Sequence, residues 1–497
     1  MFEASRSFTF FDYFRVPYRV QSGDSAAVNL SSRGPVHQLR AISHARGEGR
    51  SLFWFAADPQ QRSAEVHSRL GKYRLHDFTF FGRVALSVAV PGLLRGTAGG
   101  WQQAEPILGS AGSAVSAIWR DDAGNVFLPF DPGEVMQYFW SERYMSVGRS
   151  PLSAFGRTAA LRGYYALRPA LPRPLQLRLR RVFTRVQGRS TFPEWPAEDS
   201  LNKMYGWLFT VSGEVAGSSV PYLDLWPDGK SWAFVLTHDV ETDVGLREIR
   251  LLRDPERRRG YLSSWNLVGE RYAVDDETVR ALPNEGCEVG VHGLRHDGRD
   301  LASRRLMQRR LPAMRQFAHQ WDAVGFRSPA TQRAWHLMPM LGFEYDTSYS
   351  DTDPYEPQPG GCCTYLPYFN EQMVELPITL PQDHTLFSIL QHSDAGVWER
   401  KAEHIRAHRG MVLILTHPDY AHDPRLTHGY DRLLELFQGD ETVWHALAQD
   451  VASWWRERAA SSVRSNADGW LVEGPASARG RVRFATLRNS ENQVAGR

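Results

Sequence analysis

The run Ser231-Trp-Ala-Phe-Val-Leu-Thr237 constrains this chain more than any other feature. A continuous apolar stretch bounded by polar residues is what a strand buried on both faces requires, and such strands belong to parallel sheets covered by helices. Further apolar runs alternate with helical stretches after it: Glu288-Val-Gly-Val291, Ala323-Val-Gly-Phe326 and Met411-Val-Leu-Ile-Leu-Thr416. The alternation is that of a repeated β/α barrel or a wound sheet. In such folds the side chains able to do chemistry gather at the C-terminal ends of the strands.

Five islands stand where those strand ends are expected. They are Thr237-His-Asp-Val-Glu-Thr242, His292-Gly-Leu-Arg-His296, Arg327-Ser-Pro329, Tyr345-Asp-Thr-Ser348 and Leu415-Thr-His-Pro418. One His at a strand end is ordinarily a hydrogen-bonded structural residue, but packing alone does not explain five such clusters in register. Two imidazoles four residues apart can hold one metal ion if the segment turns back or starts a helix. A carboxylate from another strand then completes a two-His, one-carboxylate set. Three protein ligands leave positions open to water, as a hydrolytic site needs. Such a site also needs a carboxylate to take the water's proton and an acid to protonate the leaving group. Asp239 and His417 are available for those two tasks.

Together the islands resemble the polysaccharide deacetylase family, the NodB-homology or carbohydrate esterase family 4 group, over about residues 231 to 420. The resemblance implies an α/β fold with a distorted (β/α) barrel of NodB type and a divalent metal, Zn2+ first. It implies Asp239 as base, His292 and His296 as metal ligands, Arg327 as the group that orients the base, and His417 as general acid. The chain departs from the usual motif at Val240, where a second aspartate normally binds the metal. Glu241 is the best replacement and Asp243 the fallback. An aromatic residue and an Asp usually line the acid's side of the cleft. Asp346, Asp351 and Asp353 compete for the Asp, and counting from Gly342 favours Asp351. The Pro- and Gly-rich stretch 353–365 reads as a loop that could hold a sugar against Tyr355 or Tyr365. Asp383 and His384 could sit near the site, and His238 could back it. His319, His404 and His408 fall in charged helical stretches and read as solvent-facing.

The activity so implied is hydrolysis of linear amides, removing N-acetyl groups from amino sugars of a bacterial polysaccharide or its precursor. Carbohydrate is the expected partner, with peripheral association to a polysaccharide synthesis complex allowed. An O-acetyl esterase or a small cyclic-amide hydrolase on the same fold is the alternative, and a degenerate carbohydrate-binding protein is the non-enzymatic one.

The rest of the chain bounds this reading. A length of 497 residues exceeds what one core usually serves. The expected division is an α/β domain over 1–150, a basic helical connector over 151–230, the catalytic domain over 231–455 and a β-rich tail over 456–497. In the first part Ser51–Ala56, Phe78–Phe81 and Asn125–Phe130 read as strands, and Asp131 caps a helix with Pro132 at its first position. In the connector, Leu175, Leu179, Val182, Phe183 and Val186 fall at helical spacing. Arg178, Arg181 and Arg185 lie on the other side and read as a solvated face. Phe192-Pro-Glu-Trp-Pro196 breaks that helix. A net charge of +2 gives no field suited to nucleic acid. Cys287, Cys362 and Cys363 form no disulfide framework and read as reduced thiols. Residues 1–29 carry no secretory pattern, and Val84–Leu94 is too short to span a bilayer, so a cytoplasmic location is the default expectation.

Overall fold

The computed structural model describes residues 2–21, 35–42, 49–57, 68–97, 99–148, 178, 180, 181, 184, 187, 191–467 and 469–485. The chain divides into two units: 1–149, 199–224 and 457–497 make the first, and 150–198 with 225–456 make the second. Residues 199–224, expected in a connector, and 457–497, expected as a separate tail, thus share a unit with the N-terminal residues.

The first unit carries a nine-stranded sheet among the described residues, in the order β2-β1-β3-β4-β9-β8-β7-β5-β6. The strands are β1 (Phe2–Ala4), β2 (Tyr18–Val20), β3 (Val36–Ala41), β4 (Ser51–Phe55), β5 (Ser68–Leu75), β6 (Phe78–Ala85), β7 (Gln102–Gly109), β8 (Ala114–Arg120) and β9 (Val126–Leu128). The three runs read as strands in this region are β4, β6 and β9. Helix Pro132–Trp140 starts as expected, with the Asp131 carboxylate accepting from the Gly133 N–H. Phe53, Phe55, Val90, Trp119 and Phe127 belong to one buried cluster. Helix Ser200–Ala216 sets Phe209 against Phe10 and Phe14, each at 4.9 Å between ring centres. It leads into β10 (Val220–Leu223).

The second unit is a β/α alternation. Its strands are β11 (Trp232–Val240), β12 (Ser263–Leu267), β13 (Glu288–Val291), β14 (Gly325–Phe326), β15 (Tyr345–Asp346), β16 (Tyr368–Asn370), β17 (Met373–Glu375), β18 (Met411–Thr416) and β19 (Val443–His445). The sheet runs β16-β17-β15-β14-β13-β12-β11-β18, all parallel except the β16–β17 pair, and β19 pairs with the start of β11. β11 is buried at every position, as its apolar run demands. Trp232 and Phe234 pack on Phe437 at 4.7 and 5.4 Å. Phe437 ends the apolar stripe Leu426, Tyr430, Leu433, Leu434, Phe437 of helix Pro424–Phe437.

The sheet curls until its ends meet. Beyond β17, the Thr379 and Leu380 N–H groups donate to the Leu413 carbonyl of β18 at 3.0 and 3.1 Å. This seam leaves the C-terminal ends of β11, β12, β13, β14 and β18 facing one centre. The apolar residues of the basic stretch (Leu175, Leu179, Val182, Phe183, Val186), and Arg185, lie outside the described residues. Arg178 is exposed, but Arg181 donates to the Ser388 carbonyl at 3.1 Å instead of facing solvent alone.

The chain then gives the first unit β20 (Ser462–Asn466), β21 (Gly469–Glu473) and β22 (Val482–Ala485). β20 and β21 form an antiparallel hairpin, and β22 pairs antiparallel with β10. No helix among the described residues is long and apolar enough to cross a membrane.

Candidate active site

Strand geometry sorts the first island. Successive side chains in a strand point to opposite faces, so Thr237 and Asp239 look into the centre of the curled sheet while His238 and Val240 look out. Glu241, one residue past the strand end, returns to the Asp239 side. An acid-x-acid spacing therefore brings both carboxylates to the centre. His238, on the outer face, stacks on Trp265 at 4.1 Å and lies 2.8 Å from both Thr416 Oγ1 and Glu256 Oε1. It is buried in the wall behind the site and does not face it.

The second island supplies the imidazoles without a helix. His292 directly follows β13, Gly293 has φ 65° and His296 has φ 51°, so the chain doubles back and the two rings lie 5.0 Å apart. A Cβ at Gly293 would come within 2.4 Å of Asp300 Oδ2, so only glycine fits the corner. The turn is held from below: Asp300 accepts from the Leu294 N–H at 3.1 Å, and Arg310 bridges Asp300 and Asp297 at 2.6 Å each.

Ligand atoms of Glu241, His292 and His296 all lie within 4.8 Å of one another. His296 Nε2 is 2.8 Å from Glu241 Oε1. His292 Nδ1–H donates to the Arg327 carbonyl at 3.1 Å, which leaves Nε2 as the inward lone pair, buried and with no hydrogen-bond partner among the described residues. Burial above all pushes His292 down to about 4, so it is a neutral imidazole. Burial alone would raise Glu241, but the neighbouring His296, then His417 and His292, hold it well below the usual carboxylate range. Two imidazoles, one with an orphaned lone pair, and an ionised carboxylate fit a divalent cation. Asp243 does not join them; it is exposed and paired with Arg247.

Asp239 is gripped on one oxygen. Oδ1 accepts from Asn266 Nδ2 at 2.9 Å and from Arg327 Nη1 at 3.2 Å, while Oδ2 faces His292 Nε2 at 3.5 Å. Arg327 is fully buried and also donates to Thr347 and to Thr237 Oγ1. Burial raises the Asp239 pKa, but Arg327 first, then His292 and His417, outweigh it and keep the carboxylate ionised.

His417 follows the end of β18, the strand beside β11. Its Nδ1–H donates to Asp383 Oδ1 at 2.6 Å, its backbone N–H donates to Asp383 Oδ2 at 2.8 Å, and Nε2 points inward, 3.8 Å from Glu241 Oε1. Burial lowers the ring's pKa, but Asp383 chiefly, then Glu241 and Asp239, raise it to about 10, so the imidazolium is the stable form. His384 stacks on Tyr420 at 5.3 Å, and Tyr420 lies 5.4 Å from His417.

The Asp beside His417 is thus Asp383, and the candidates read from the fourth island lie elsewhere. Asp351 is buried in an ion pair with Lys401 at 2.7 Å. Asp346 accepts from the Ser348 N–H and hydroxyl at 2.8 and 2.6 Å and faces Glu375 in the sheet wall. Asp353 is buried, and its carboxylate accepts from the Tyr355 N–H at 2.8 Å. Tyr355 is half-buried, its ring edge-on to Trp195 at 5.3 Å. Tyr365 is fully buried and its carbonyl accepts from Met411 N–H at the start of β18, the end away from His417, so it cannot touch a sugar at the site. His404 is not simply solvent-facing: it is half-buried, edge-on to Tyr365 at 5.9 Å. Asp383, expected near the site, is there; Asn266 and Asp419, whose Oδ2 accepts from the Glu241 N–H at 2.9 Å, were not read from the sequence. Asp419 stands only two residues past His417, a signal that was available.

No family model matches the chain, and no curated protein does. Solved structures do. A protein assigned as a polysaccharide deacetylase from Mycobacterium smegmatis is similar with 18% identity and a TM-score of 0.40, over 47% of this chain and 93% of its own. One so assigned from Pseudomonas aeruginosa PAO1 has 17% identity and a TM-score of 0.37, over 46% and 93%. The Puue allantoinase has 16% identity and a TM-score of 0.37, over 46% and 92%. The chain's likeness is to polysaccharide deacetylases and an allantoinase. At such identities what the site can do rests on its own side chains.

Proposed function

We propose that the second unit is a metal-dependent hydrolase of the NodB type that removes N-acetyl groups from amino sugars of a bacterial polysaccharide or its precursor. The observation that carries this is one constellation: Glu241, His292 and His296 converge, with an ionised Asp239 on one side and a protonated His417 on the other. Glu241, His292 and His296 would hold the ion. A bound divalent ion, Zn2+ by the donor set, supplies Lewis acidity that polarises an acyl carbonyl and acidifies water. The chain's own residues do the proton work. Asp239 Oδ2, the oxygen free of Asn266 and Arg327, takes the proton of the attacking water. Arg327 and Asn266 keep that carboxylate from turning away. His417 Nε2 gives its proton to the departing nitrogen, and acetate and a free amine leave.

The reacting side chains are deeply placed. Side-chain exposure is 17% for Glu241, 5% for His296, 4% for His417, 3% for Asp239 and 2% for His292. Side chains this buried put the reacting groups at the floor of the site, so a chain end, a monosaccharide precursor and a small cyclic amide are tested beside a polymer.

Acetate release from N-acetylated and O-acetylated oligosaccharides, from an N-acetylated monosaccharide, and ring opening of a cyclic amide separate these substrates. His292→Ala should abolish metal loading, and Asp239→Asn should keep the metal and lose turnover. Full activity in both variants would refute the site.

A further inference from the structure

β11 ends at Val240, whose ladder partner is Leu267, so Glu241 is the first residue that the sheet no longer holds. A ligand carboxylate must nonetheless return to one position within about half an ångström. The support comes from the end of the neighbouring strand, β18. Asp419 Oδ2 accepts from the Glu241 N–H at 2.9 Å, and Oδ1 accepts from the Thr242 hydroxyl. Thr242 Oγ1 also accepts from Val244 N–H at 3.2 Å, capping helix Asp243–Arg247. Room for the carboxylate is built in: a Cβ at Gly245 would lie 2.1 Å from Asp419 Oδ2. Asp419 belongs to the turn Pro418–Tyr420, which closes on His417 through the Tyr420 N–H to His417 carbonyl bond at 3.0 Å.

We propose that Asp419 is a positioning residue that fixes Glu241 as a metal ligand and ties it to the turn carrying His417. This rests on the reading of Glu241 as a ligand. Helix capping alone does not account for the contact, since the cap needs only Thr242. Both carboxylate oxygens are engaged, and the one that reaches Glu241 is the one for which Gly245 makes space.

The test uses the full chain with Zn2+ alone, and reads Zn2+ affinity by chelator competition, the visible spectrum of the Co2+-loaded protein, and the melting temperature of the metal-free protein. Asp419→Ala should weaken Zn2+ binding about ten- to a hundredfold, the range for losing a group that orients a ligand, and should shift the Co2+ bands. Asp419→Asn should recover part of the affinity, because its amide oxygen can still accept from the Glu241 N–H. Gly245→Ala should reproduce the loss by displacing the carboxylate without removing it, and with Asp419→Asn it decides the matter if Asp419→Ala does not fold. Binding within twofold of the parent in Asp419→Ala and Gly245→Ala, with Glu241→Gln losing the metal, would overturn the proposal and leave the ligand reading intact. A lower melting temperature with affinity unchanged would also overturn it. Full affinity in Glu241→Gln would overturn the ligand reading itself.

Discussion

Replacing Asp383 with Asn tests the acid side of the site most sharply. The change keeps the shape and one acceptor but removes the charge that His417 Nδ1–H meets at 2.6 Å. A hydrogen bond to an ionised group is worth about 1.5–3 kcal/mol, so kcat should fall roughly ten- to 150-fold at about 1.4 kcal/mol per tenfold. The pH profile should move as well. With Asp383 in place His417 keeps its proton up to about 10. Without that charge, burial acts against the cation with less opposition, so the alkaline fall of kcat shifts to lower pH. The assay is acetate release across pH 6 to 10 at saturating substrate, with Zn2+ loading checked in each variant. Asp351→Asn serves as the contrast, because Asp351 faces Lys401 and not His417. If Asp383→Asn keeps kcat within twofold and the same alkaline limb, while Asp351→Asn moves that limb, the assignment of the acid's partner is wrong.

Two further outcomes concern stability. Asp351→Asn leaves Lys401, which is fully buried on its side chain, without its counter-charge. Removing one member of a buried pair costs about 3–5 kcal/mol, so urea unfolding should show that loss; an unchanged midpoint would contradict the pair. Glu288, the first residue of β13, is buried, accepting from Ser264 and Tyr345 hydroxyls and the Gln449 N–H, and burial above all pushes it up to about 7. A raised carboxyl stabilises the fold below the unfolded value of 4.5 and loses that contribution as pH rises through 7. The gap is worth up to about 3 kcal/mol. The unfolding free energy of Glu288→Gln minus that of the parent should rise by that order between pH 4.5 and 8, and a difference flat in pH would refute it.

The centre of the site was legible because it rests on local rules. The apolar run of β11 announces a buried strand, and the two-residue period then dictates that Glu241 follows Asp239 to the centre, where Val240 cannot. The His pair is likewise local, fixed by a corner that only Gly293 allows. What the sequence hid depends on chain paths. Asp351 looked right by counting, but the route from β15 to β17 is irregular, without a period to count along, and carries Asp351 to Lys401. Asn266 sits in Ser263-Ser-Trp-Asn-Leu267, too polar to read as a buried strand; it is one because Glu256 and Glu288 satisfy its hydroxyls. The first unit was hidden in a different way. It is assembled from three separated segments, and no local signal in 199–224 or 457–497 tells which unit will take them.

The seam of the curled sheet has a consequence for which length changes this chain tolerates. Thr379 meets Leu413 and, four residues further along each strand, Asp383 meets His417, both pairs being 34 residues apart. The seam therefore acts as a ruler for the Asp383–His417 pair. Deleting or inserting a single residue between Leu380 and Asp383, or between Leu413 and His417, would put the acid out of step with its partner while leaving every site residue in the sequence. Length in those two short spans is as strictly prescribed as residue identity.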